Sequence, residues 1–301
     1  MTAAGVLTLA VTATANTPGS LQALVWTDRE HAREVLVEQP ATCLDPAMLT
    51  PLARAGEALF NAPATLGGQA ERAGMSCAGC HANGRRSPWF RLDGVSAGPG
   101  TADVSSSFFS PKRANGRFDP TPIPDLALPG KVSHDPGSRD LERFVRGLIV
   151  EEFSGDEPSL VTLSALASYV RAVRVCRDRA SEPRSLGADL KLIDTGITGA
   201  IELLRLGDKT GAAKLVKGTR FRLGLINERM IGRGQAKLRR DLLATSRKLS
   251  ELQDNPEADR LAVWLQGFER KLKPALAKAE RGSLYAPAVV DRWLSGRLEN
   301  S

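Results

Sequence analysis

Aromatic residues are scarce, 5% of 301 positions. Runs of β-branched residues are few, which argues against a sandwich or barrel and for a mainly helical fold. Cysteine and methionine occur four times each and histidine three times. With Cys77, Cys80 and His81 set aside, the remaining candidates Cys43, Cys176, His31 and His134 contain no second tight pair, as a four-ligand zinc site would need. No segment is apolar for the roughly 20 residues that a membrane helix takes. No nucleic-acid recognition motif is present, and nucleic acid is not expected as a partner. Hydrophobic residues make up 42% of the chain, enough for a real core.

One pentapeptide stands out. Cys77-Ala78-Gly79-Cys80-His81 reads C-x-x-C-H, the attachment pattern of c-type haem. Two thiols one helical turn apart can add to the two vinyl groups of a porphyrin. The adjoining imidazole then lies under the ring as proximal iron ligand. Cys77 and Cys80 are therefore the expected attachment points of one covalent haem c, and His81 the expected ligand to its iron. A redox dithiol would sit in a βαβ setting, and none is visible. A second C-x-x-C-H is absent, so a second covalent haem is not expected.

Residues 1–15 read as the remnant of a signal peptide. Ala3 to Ala15 is short, apolar and rich in small residues, and Ala13-Thr14-Ala15 has the small-x-small pattern of a cleavage site. The basic n-region is missing, so the chain reads as starting inside the signal. Haem c is attached outside the cytoplasm, and a periplasmic or otherwise exported protein is expected. Cys43 and Cys176 would then meet oxidising conditions, where a disulfide and two free thiols are both open to them.

Ala82 to Gly130 carries seven prolines and six glycines and reads as loop. Around it three helices are expected. One covers Pro51 to Asn61, with Leu52, Ala55, Leu59 and Phe60 buried. One follows Ser138, with Leu141, Phe144, Val145, Leu148 and Ile149 as its apolar face. One starts near Pro158 and buries Leu163, Leu166, Ala167, Val170 and Val173. Gly56 and Tyr169 suit a close helix crossing. A cytochrome c-like haem domain over residues 40–180 follows, with a boundary near Ser181-Glu182-Pro183-Arg184.

The loop and the helix after it carry a resemblance. Arg117-Phe118-Asp119-Pro120-Thr121-Pro122-Ile123-Pro124-Asp125-Leu126 leads to Ser133-His134-Asp135-Pro136-Gly137-Ser138 and then Leu141-Glu142-Arg143-Phe144-Val145. Over residues 50–178 this resembles the haem domains of the bacterial di-haem cytochrome c peroxidase family, which includes the methylamine-utilisation haem enzyme, and most of all the C-terminal, higher-potential domain. The resemblance implies that His134 lies beside the haem without binding iron, while ligation of the iron by His134 stays open. Three departures matter. Pro136 is inserted in the histidine motif, a single haem motif replaces two, and Val145-Arg146-Gly147-Leu148-Ile149 lacks the methionine ligand of those enzymes.

Residues 184–301 read as a basic helical bundle. Residues 181–301 hold 23 Lys+Arg against 15 Asp+Glu, a net of +8. Leu186 to Leu204, Leu215 to Met230, Leu238 to Leu252 and a segment opening at Asn255-Pro256 show helical spacing. A piece around Val289 to Trp293 is expected to close the bundle. The basic excess is either a solvated face, a dock for an acidic redox partner protein or a contact with an anionic membrane surface. The expected architecture is mainly α, a c-type cytochrome domain followed by a helical bundle. The expected function is electron transfer by an exported mono-haem cytochrome. The alternatives are a peroxidase-like haem enzyme that reduces hydrogen peroxide, or a haem redox sensor or docking module.

Overall fold

The computed structural model describes residues 21–106, 108–128, 130 and 133–296, so the signal-peptide remnant at 1–15 lies outside the described residues. The elements run α1 (Gln22–Val25), α2 (Ala32–Val37), β1 (Glu38–Pro40), α3 (Pro51–Phe60), α4 (Pro63–Leu66), α5 (Gly68–Arg72), α6 (Cys77–Cys80), β2 (Thr101–Ala102), β3 (Thr121–Pro122), α7 (Asp140–Gly147), α8 (Leu160–Ala172), β4 (Ser181–Pro183), α9 (Leu186–Arg205), α10 (Lys209–Arg229), α11 (Ala236–Ser250), α12 (Ala258–Ala279) and α13 (Pro287–Leu294). The fold is mainly helical. Its strands form two short antiparallel ladders, β1 with β4 and β2 with β3.

Helix α3 starts where its sequence directs. The Thr50 hydroxyl accepts the Ala53 N–H at 3.1 Å, and Pro51 takes the first position, where its missing N–H costs nothing. Ala55, Leu59 and Phe60 are buried as expected, whereas Leu52 is half-buried. Gly56 makes the crossing with α8: a methyl group there would stand 1.9 Å from the Ala165 carbonyl oxygen, so only glycine permits this approach. One turn beyond Ala165, Tyr169 is 1% exposed, with its ring centroid 5.1 Å from that of Phe60. Helix α8 is capped by Ser159, which accepts the Thr162 N–H at 2.9 Å. Its expected core face of Leu163, Leu166, Ala167, Val170 and Val173 is buried.

Helix α7 departs from expectation at Phe144, which is exposed. The helix packs on α8 and buries Leu141, with Ile149 buried in the turn that follows, and Phe144 stays outside that contact. The chain continues as one turn of π-helix, Leu148–Glu152.

Helices α9 to α12 pack in a closed ring, each against the next and α12 back on α9. The expected stripes of Leu186, Leu190, Ile193, Leu223, Ile226, Met230 and Leu242 meet in one buried cluster with Phe268, Leu272 and Leu276. Helix α12 begins at Ala258, three residues after Asn255, and runs through Pro274. The segment from Val289 to Trp293 does not close the bundle. As part of α13 it packs on α1 and α2, in a cluster of Leu21, Leu24, Leu36, Val37, Leu284, Val289, Val290 and Trp293. Arg33 and Asp291 join the same two ends at 2.7 Å.

At the expected boundary Ser181–Pro183 forms strand β4, paired with β1, and the core continues across it. One buried cluster contains Ala55, Leu59, Leu166 and Tyr169 together with Ile197, Ala200, Leu203, Leu215 and Leu261. Helix α3 is packed between α8 and α9. Cys43 and Cys176 form a disulfide with Cα atoms 5.4 Å apart, which ties the start of the haem-motif half to its end.

Candidate functional site

Cys77 and Cys80 form the single turn α6, and neither is joined to another cysteine. Both pack against the core cluster that contains Phe60, Met75 and Phe90. Burial pushes each thiol up to about 12. A redox dithiol works through a lowered pKa, so this environment disfavours that chemistry. These are neutral, apolar-facing thiols.

His81 follows at the end of the turn. Its Nδ1 lies 3.1 Å from the Pro124 carbonyl oxygen. A carbonyl can only accept, so Nδ1 carries the proton and Nε2 holds the lone pair. Burial lowers the ring to about 4, against the opposing influence of the Pro124 carbonyl and of Asp125, so the imidazole is neutral at pH 7. An orienting bond on one ring nitrogen with the other left free is the arrangement of a metal-ligating histidine.

The chain around this imidazole is tied at both ends. Arg85 forks onto Asp125 with distances of 2.7 and 2.8 Å from Nε, and the Leu126 N–H donates to the Gly84 carbonyl at 3.1 Å. These bonds bring Pro124 onto His81. Gly84 has φ +74°, and a Cβ there would meet Val173 at 2.6 Å. Asn83, also left-handed at φ 55°, donates from Nδ2 to the Pro40 carbonyl at 2.7 Å.

The donor set suits haem c. Two unjoined thiols one turn apart precede an imidazole whose Nε2 is free, and an apolar cluster faces the thiols. Among the described residues no three His, Cys, Asp or Glu side chains converge as a metal-binding group. A haem iron takes a single imidazole from this motif and does not require such convergence.

His134 is half-buried, and its Nε2 is buried with no hydrogen-bond partner among the described residues. Burial lowers its pKa, and the cations Arg174 and Arg171 lower it further. Arg171 is held by Glu142 through two bonds of 3.0 Å and by the Ser138 carbonyl at 2.8 Å. His31, the remaining histidine, stacks on Trp89 with centroids 3.6 Å apart and donates from Nδ1 to Asp28 at 2.7 Å. Of the methionines, Met48 touches Arg174 through Sδ at 3.1 Å, Met75 is buried before α6, and Met230 lies in the core of the bundle.

Three features are not legible in the sequence. Any residue can offer a backbone carbonyl, so nothing marks Pro124. The Arg85–Asp125 and Arg171–Glu142 pairs join distant positions. Glu152, at the end of the π-turn, is 1% exposed, and its Oε2 has no hydrogen-bond partner among the described residues. The Arg113 Nε stands 3.8 Å away. Burial pushes Glu152 up to about 7; Arg113 pulls it down, and Asp103 adds to the rise.

Comparison with family models, with curated proteins and with solved structures returns no match.

Proposed function

We propose that this chain is a mono-haem c-type cytochrome that exchanges electrons with a partner protein. The observation that carries the reading is His81, a neutral imidazole with Nδ1 bound to Pro124 and Nε2 free, directly after two unjoined thiols. Cys77 and Cys80 would hold the porphyrin through thioether bonds, and His81 would bind its iron. When bound, the haem supplies a one-electron iron couple. The chain fixes the His81 tautomer, packs apolar side chains against the thiols and keeps His134 within reach of the charges of Arg171 and Arg174. Val104, Phe108, Phe118, Leu128 and Phe144 are exposed on the loop half, in keeping with a domain that wraps a large apolar disc. The resemblance to the di-haem peroxidase family supports a place for His134 beside the haem.

The same reading makes the protein exported, and the Cys43–Cys176 disulfide fits an oxidising compartment such as the periplasm. The net +8 of residues 181–301 favours an acidic redox partner, with an anionic membrane surface as the competing contact.

The test is expression with a haem-attachment system. The denatured protein should keep haem absorbance on a gel, and the Cys77→Ala, Cys80→Ala variant should lose it. Protein matured in this way without covalent haem ends the reading. Electron transfer further requires reversible one-electron reduction with negligible peroxide turnover. A second reading, peroxide reduction, is favoured by Glu152, a buried carboxyl able to hold a proton near neutral pH beside Arg113. Rapid peroxide-dependent oxidation of a reduced cytochrome, lost in Glu152→Gln, would establish it instead.

A further inference from the structure

A cleft of about 860 Å³ lies on the Ala78–Gly79 side of α6, between that turn, the α1–α2 segment and the helices α9 and α10. Small-molecule sites occupy roughly 300–1,000 Å³. Its walls include Trp26, Trp89 and Phe221. The His31 stack holds the Trp89 ring in place. The Trp26 Nε1 is buried with no acceptor among the described residues.

At the α9 end the cleft carries the cations Arg184, Lys191 and Arg222. Arg184 and Arg222 line it, with Arg229 close by, and Asp189 is the carboxylate that faces them. Arg222 already takes Asp189 at 2.9 Å, and the Tyr285 hydroxyl donates to the other oxygen of that carboxylate. Arg229 donates to the Leu36 and Leu284 carbonyls and lies over the Tyr285 ring. Arg184 uses only Nε, on the Val35 carbonyl at 2.9 Å, and both its Nη groups have no acceptor among the described residues. Burial lowers Arg184 to about 10, with Arg229 and Arg222 adding to the fall and Asp189 opposing it. The other inner carboxylates are engaged, Glu57 by Arg54, Asp125 by Arg85 and Glu182 by Thr42, while Glu34 and Glu38 are exposed.

We infer that this cleft is a binding site for a small aromatic carboxylate, its anionic group on the free fork of Arg184 and its ring against Trp26 and Trp89. A carboxylate matches the two-nitrogen geometry of the fork, and desolvation in the cleft strengthens the pair. The indole walls supply apolar area with little entropy lost on ordering. The site is independent of haem attachment and stands or falls separately from it.

The probe is 2-naphthoate, titrated by calorimetry into the full-length protein, with 2-naphthamide as the same ring without charge. The carboxylate should bind one per chain, and the amide about tenfold or more weaker, a difference of ~1.4 kcal/mol or more. Arg184→Gln should weaken naphthoate by about the same factor and leave the amide unchanged, since charge-assisted bonds are worth roughly this much. Trp89→Leu should weaken both ligands. A thermal melt of each variant separates lost binding from lost fold, and the comparison of the two probes on the wild-type chain needs no variant. Equal affinities for acid and amide, naphthoate binding untouched by Arg184→Gln, or no heat with either probe at millimolar concentration would overturn the site.

Discussion

Residues 82–138 and residues 186–294 solve the same problem in different ways. In the second region five helices satisfy their own backbone groups, and a shared stripe rich in leucine and isoleucine fixes four of them, α9 to α12. The first region has two two-residue strands and must tie its backbone piece by piece. Asp103 accepts from the Ser105 backbone and hydroxyl at 2.9 and 2.8 Å, Thr101 bonds the Gly98 loop, and Arg85 pins Asp125. The loop region also leaves Phe108, Phe118 and Leu128 on the surface. The lesson is that apolar content alone does not make a core. Helices bring their stripes together, whereas a loop needs cross-links or a bound group to do so.

The largest effect on this contrast is expected from the cross-link. Replacing Cys43 and Cys176 by alanine opens a loop of 133 residues, and the chain-entropy model puts the loss at about 5 kcal/mol. Urea unfolding should show it first in the haem-motif half. A shift below about 1 kcal/mol would mean that packing alone holds the loop region.

Gly56→Ala comes next. The new methyl would meet the Ala165 carbonyl, and the α3–α8 crossing must open, for a loss of roughly 3 kcal/mol in thermal or urea unfolding. Wild-type stability in this variant would contradict the crossing.

Glu152 gives a pH signature of similar size. Its folded pKa of about 7 lies above the ordinary carboxylate value, so the folded chain holds this proton more tightly than the unfolded chain does. Through this group the fold is favoured at low pH, and its contribution falls as pH rises from about 4.5 to about 7, by up to ~3 kcal/mol. Glu152→Gln should flatten that slope and be the more stable protein at about pH 8. An unchanged slope removes Glu152 as its source.

A gain is expected in the bundle. Nothing lies within 4 Å of a methyl placed on Gly267 in α12. Gly267→Ala should therefore raise stability by about 0.5–1 kcal/mol. The opposite signs at Gly56 and Gly267 measure the difference between a crossing and an open helix face. The smallest change concerns His134. Under the haem reading His134→Ala shifts the reduction potential and leaves the spin state alone. A change from low-spin to high-spin in the electron paramagnetic resonance spectrum would make His134 an iron ligand.

Where the sequence carried local signals, the fold was legible. Thr50-Pro51 marks the start of α3, and the spacing of Leu186, Leu190 and Ile193 marks α9, because caps and periodicity are properties of neighbours along the chain. Phe144 misleads because periodicity gives the apolar face but not how wide a strip its partner covers. Proline disfavours a helix interior, yet α12 runs through Pro274 to Ala279 with Leu276 fully buried beyond it. The use of α13 depends on α1 and α2 at the other end of the chain, and no window of sequence contains both. In the candidate site, Cys77, Cys80 and His81 are a contiguous motif and stand out. Pro124 and Glu152 take their roles from burial and approach, which appear only in three dimensions.

The pairing of α2 with α13 sets an order of completion during synthesis. Helices α1 and α2 leave the ribosome before α6, yet Leu24, Leu36 and Val37 have their apolar partners in Val289, Val290 and Trp293, far later in the chain. The wall of the cleft behind Ala78–Gly79 therefore closes only once α13 has been made, and the Cys77–His81 turn waits until then with that side unpinned. A chain stopped before Pro287 should be cut by protease within residues 21–37 while α9 to α12 stay protected. Protection of both would show that the wall stands without its last helix.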